Sequence, residues 1–184
     1  MKWSLRIAVA FAIAGCSGRV ETDDRPTLTI DRIQPFQLEF GRGSGRAGLD
    51  TVKIDQTGRV VLHRMKSDRQ QDVTVLSWET ATLLLSPEGL AEVLKTLESN
   101  DLMRLHKAYH TDVRDGTQWV LWVRQGEREK SVYFDNSFPR AITAFADQLD
   151  AILARAGSDK LAWQPVSEQE SRQHDRELWD SIKR

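Results

Sequence analysis

Apolar and polar residues alternate over Phe36, Leu38 and Phe40 against Gln37 and Glu39, and again over Val52 and Ile54 against Thr51 and Lys53. A period of two predicts strands with one buried face. Asp55-Gln56-Thr57-Gly58 is a turn signal, with Gly58 suited to positive φ, so Arg59 to Met65 returns as the second arm of a hairpin. Val73 to Trp78 is rich in β-branched residues and predicts a fourth strand, which Thr80 to Leu85 either extends or leaves at a kink. The period then changes. Ser86 offers a capping hydroxyl, Pro87 suits the first helical position, and Glu88 complements the positive helix end. Leu90, Val93, Leu94 and Leu97 follow on one face of a helix that ends near Ser99-Asn100. An irregular stretch through Tyr109 and a loop over Asp112 to Gly116 lead to a second hairpin, Gln118 to Arg124 and Lys130 to Phe134. Pro139 opens a second helix with Ile142, Phe145, Leu149, Ile152 and Leu153 in register, closed by Gly157. The expected fold is α+β in the order ββββ-α-ββ-α. It is an antiparallel sheet of about six strands over residues 33–166, with two helices on one face and a charged C-terminal tail.

The two ends of the chain have other patterns. In the tail, residues 167–184, Ser167-x-x-Glu170 matches a capping box and predicts a helix over Glu168 to Lys183. Its apolar residues are confined to Leu178, Trp179 and Ile182, so it is either a frayed or disordered solvated segment or a helix that docks on the domain or a partner. At the N-terminus, Lys2 and Arg6 precede an apolar run from Ile7 to Ala14. That run is too short for a hydrocarbon layer of about 30 Å and reads as a secretory signal, residues 1–15. Ala14 and Gly15 directly before Cys16 resemble the lipobox of bacterial lipoproteins. The resemblance implies a diacylglycerol on the Cys16 sulfur, Cys16 as the first mature residue and acylation of its amine. Residues 16–32 are polar and broken by Pro26, a flexible tether spanning roughly 20 Å. Ser17 rather than Asp follows the cysteine, which by the same resemblance implies the periplasmic face of the outer membrane.

Charge and cysteine content narrow the classes. Loss of Lys2 and Arg6 with the leader leaves 24 basic residues against 27 acidic, a net of −3, so no basic surface for nucleic acid is expected. A single, lipidated cysteine denies the fold a disulfide. The lipid is then the only membrane attachment expected, and no cofactor is expected beyond it.

The candidate chemistry is thin. Gly43-Ser44-Gly45-Arg46-Ala47-Gly48 matches G-x-G-x-x-G, but it precedes a strand where the dinucleotide motif needs a helix. It reads as a hairpin connection, with Arg42 and Arg46 as candidate anion ligands in a glycine-rich nest. His106 and His110 stand four apart, which would place both on one helical face, and Asp112 and Asp115 follow. A zinc-protease pair needs Glu beside the first histidine, where Lys107 stands, so His106, His110 and Asp112 are weak metal candidates. No G-x-S-x-G elbow occurs, and Ser137 lacks any sign of a base. His63 alternates with Val61 and Met65 and reads as a structural histidine. Trp119 and Trp122 are an odd number apart in one strand, so one faces the core and the other the sheet's second face. There it is either a partner anchor or covered by the tether, the tail or Trp163.

The strand Phe36-x-Leu38, the hairpin Asp55-x-x-Gly58, the Ser86-Pro87-Glu88 helix start, the Tyr109 to Asp115 loop and the late Trp163 resemble a family of small bacterial lipoprotein domains of unknown function. Relatives often carry a cysteine pair ahead of the first hairpin, where this chain has Gly41 to Gly48. The resemblance brings no catalytic residues. The expected protein is a lipid-anchored envelope binding or structural module, with Trp119, Trp122 and Trp179 as candidate contacts for an envelope protein. A metal-dependent or hydrolytic enzyme built on His106, His110 and Asp112 is the alternative.

Overall fold

The computed structural model describes residues 28, 30–31, 34–44, 48–70, 73–113 and 116–183. Four long strands come first: β1 (Phe36–Ser44), β2 (Gly48–Asp55), β3 (Arg59–Gln70) and β4 (Val73–Leu84). Helix α1 (Pro87–Ser99), β5 (Ala108–His110), β6 (Thr117–Gln125), β7 (Arg128–Asp135), α2 (Arg140–Arg155), β8 (Gln164–Val166) and α3 (Glu168–Lys183) follow. All eight strands join one sheet in the order β5-β7-β6-β1-β2-β3-β4-β8.

The local signals act where expected. Ser86 accepts a hydrogen bond from the Gly89 amide at 3.2 Å and starts α1. Asp55 Oδ1 accepts from the Thr57 amide at 2.8 Å, and Gly58 turns the hairpin at φ +80°. A left-handed Gly157, φ +91°, follows the end of α2.

The architecture corrects the expectation of about six antiparallel strands and two helices. Among the described residues there are eight strands and three α-helices, and the sheet is mixed because β5 runs parallel to β7. Both additional strands are three-residue edge strands, too short for a period of two to register. β8 contains Pro165, tolerated at an edge where its missing amide leaves no inner ladder bond unmade. β4 continues unbroken through Thr80 to Leu84, paired with β3 throughout. The third helix is the tail, folded and docked.

The main core lies on one face. Leu38, Phe40, Ile54, Val60, Leu121, Val123 and Phe134 project from the sheet against Val93 and Leu97 of α1 and Ile142, Phe145 and Leu149 of α2. Burial of each is worth about 1.5–3 kcal/mol, so this layer carries most of the stability. Leu28 and Ile30, within the stretch assigned to the tether, are buried in the same core. α3 lies on the opposite face, against β4, β6 and β7, and completes a helix–sheet–helix sandwich.

Candidate functional site

Alternation along the central strands sends a second set of side chains to the α3 face. Register aligns Val120, Gly41, Thr51, His63 and Thr80 across β6, β1, β2, β3 and β4. The adjacent row holds Trp122, Glu39, Lys53 and Val61. α3 crosses the sheet above the first row. Its start is a capping box: the Glu170 amide donates to Ser167 Oγ at 3.2 Å, and the Ser167 amide donates to Glu170 Oε2 at 3.1 Å. Ser171, His174 and Leu178 then recur at helical spacing and face the sheet.

The far end of α3 makes an apolar contact. Leu178, Leu49 and Val120 are buried together, flanked by Trp122, Tyr133, Trp179 and Ile182. Trp179 meets Tyr133 edge to face at 5.6 Å. Glycine at position 41 eases this approach: a Cβ there would stand 3.1 Å from Leu178 Cδ2.

The near end is polar and buried. His63 Nε2 is 2.9 Å from Ser171 Oγ, and His174 Nε2 is 2.8 Å from Thr51 Oγ1. The two imidazoles, one from the sheet and one from the helix, have ring centroids 5.1 Å apart. His174 Nε2 is also 3.2 Å from Glu39 Oε1, but its hydrogen bond is to Thr51 and the Glu39 oxygen makes none among the described residues.

This environment sets the charges. Burial holds the Glu39 carboxyl up at about 6, with Glu177 and Asp175 adding to the effect and Lys53 opposing it. Burial drives His174 down to about 4, helped by His63 and Lys53 and opposed by Glu177. His63 is lowered by burial against the pull of Asp50. Asp175 is raised by burial, offset in part by the Leu49 amide. Near neutral pH both histidines are therefore uncharged, and neutral imidazole–hydroxyl bonds join helix to sheet.

An open groove of about 600 Å³ runs beside α3. Gln37, Lys53 and Arg59 line it from the sheet, and Glu170 and His174 from the helix. The Ser171–His63 pair resembles a nucleophile with its base, but Ser171 is only 1% exposed, so its hydroxyl cannot reach an external substrate.

The residues singled out from sequence are scattered. Trp119 packs into the main core, 5.6 Å from Phe40 and 4.6 Å from Phe138. Trp122 lies on the second face and Trp179 on the helix covering it, so those two meet in one patch. Arg42 forms a two-point pair with Asp150 at 2.7 and 2.8 Å. Its guanidinium is thereby engaged with a carboxylate of α2. Arg46 and Cys16 lie outside the described residues. His106 precedes β5, with its ring 6.1 Å from Tyr109, while His110 ends that strand and Asp112 stands in an exposed bend. The segment is extended, so the helical face that would pair the two histidines does not form. Among the described residues no group of three His, Cys, Asp or Glu side chains converges on a metal position.

Sequence reading missed Glu39, Thr51, Ser171 and His174. Their one signal was the spacing Ser171, His174, Leu178 in a tail with few apolar residues. The chain matches no protein-family model and no curated protein sequence.

Proposed function

We propose that this chain is a lipid-anchored protein of a bacterial cell envelope whose domain works as a binding module and not as an enzyme. A diacylglycerol on Cys16 holds it at the periplasmic face of the outer membrane, and the second sheet face meets an envelope protein. The observation that carries the reading is the asymmetry between the two faces. One is sealed by α1 and α2 over a large apolar core, while the other is covered by a single charged helix over a small aromatic patch. Tryptophan and tyrosine bring large apolar area at low entropic cost and are favoured anchors at interfaces. Trp122, Tyr133 and Trp179 supply that chemistry in one place.

Two measurements test the proposal. Metabolic labelling with palmitate should mark the wild type and not Cys16→Ser, and Cys16→Ser should leave the membrane fraction. A photo-crosslinking side chain at Trp179 should give a discrete adduct in intact cells, with none from the exposed Lys95 on α1. Retention of Cys16→Ser in the membrane defeats the anchor. Adducts from neither position, or equally from both, defeat the binding surface.

A further inference from the structure

We propose that α3 is an acid-releasable cover: protonation of the His63–His174 pair frees the helix and bares the Trp122–Tyr133 patch, so that acidity regulates the contact surface. The inference rests on reading that patch as the partner surface.

The geometry of the seam carries it. One imidazole belongs to the sheet and the other to the helix, with centroids 5.1 Å apart, and each reaches across the seam to a hydroxyl on the opposite element. His63 is 7% exposed and Ser171 1%, so a charge formed there has almost no water around it. Protonating both rings places two like charges side by side in that setting. Once α3 leaves, both imidazoles regain water and their ordinary basicity, so protons bind the released state better and acid favours it. The grip left to α3 among the described residues is then the small contact around Leu178, Trp179 and Ile182 together with the Leu49 amide's hydrogen bond to Asp175.

Other charges facing the pair modulate this. From β2, Lys53 adds repulsion to His174, and Asp50 favours a charged His63. On α3, Glu177 favours a charged His174, while Asp175 and Glu177 raise Glu39. Glu170 lines the groove at the helix start. From β1, Glu39 binds its proton in the docked state and so opposes release, which makes it the damper of the switch. The facing residues of β4, Trp78 and Thr80, carry no charge, and the Tyr133 phenol on β7 stays protonated, its acidity lowered by burial.

Hydrogen exchange on the full chain at pH 7.5 and 5.0, corrected for intrinsic rates, tests the cover. Protection of residues 168–183 is compared with that of α2 in the same molecule. In the wild type the protection of residues 168–183, lying below that of α2, should fall at least fivefold on acidification, and in the His63→Gln/His174→Gln variant, where Glu39 still titrates at the seam, it should not fall. If the double variant lacks α3 protection already at pH 7.5, His63→Gln alone decides. It should keep a protected α3 and show a smaller acid response than the wild type. Unchanged protection of residues 168–183 in the acidified wild type, or an undiminished fall in the variants, overturns the proposal. Exchange is read without any partner, so a chain that releases α3 and binds nothing refutes the partner reading and leaves this one standing.

Discussion

Leu178→Ala is the sharpest probe of how α3 is held. Leu178 is 2% exposed and sits over Gly41 and beside Leu49 and Val120, the centre of the only buried apolar contact α3 makes among the described residues. Buried Leu→Ala substitutions cost about 2–5 kcal/mol, the spread reflecting how far the site collapses around the void. Here the void lies between one helix and a sheet, so the helix can settle inward and the cost falls near the lower end, about 2.5 kcal/mol. That is a shift of about 70-fold in the docking equilibrium. No α3 residue belongs to the main core on the other face, so the void opens at the docking contact and the main core keeps its packing. Hydrogen exchange by mass spectrometry should show residues 168–183 losing protection by tens of fold, and α2 and β1 losing no more than the same factor. Tryptophan emission should move to the red as Trp122 and Trp179 become wet. Undiminished protection of residues 168–183 would refute the reasoning.

Two further outcomes follow from local chemistry. Glu39 and His174 titrate in opposite senses. The raised Glu39 carboxyl contributes stability below about pH 4.5 that is lost as pH rises through about 6, while the lowered His174 contributes stability above about pH 6.5 that is lost as pH falls towards 4. Between pH 7.5 and 4.5 Glu39→Gln, with the compensating carboxyl gone, should therefore lose about 1.5 kcal/mol more than the wild type. Urea unfolding at the two pH values measures both, with groups common to the two proteins cancelling; parallel curves would sink the assignment. Ser86→Ala removes the acceptor for the Gly89 amide and should lower stability by about 1 kcal/mol in thermal unfolding; an unchanged midpoint would mean that water caps α1 equally well.

Local order determined what the sequence by itself could show. The alternation in β1 and β2, the Asp55–Gly58 turn, the Ser86-Pro87-Glu88 start and the apolar stripe of α2 each depend on neighbours within a few residues, and each element formed where its pattern lay. The same parity rule separated Trp119 from Trp122 correctly. Tertiary structure decided the rest. β5 and β8 exist because a sheet edge offers them hydrogen-bond partners, so three residues with no pattern of their own become strands. α3 is nearly all polar in sequence, and its few apolar residues acquire a role only where Leu178 meets Leu49 and Val120 on the sheet, a close approach over Gly41. His63 and His174 stand 111 positions apart in the chain and 5.1 Å apart in space. A buried polar seam is a property of two surfaces meeting, and neither surface carries its signature alone.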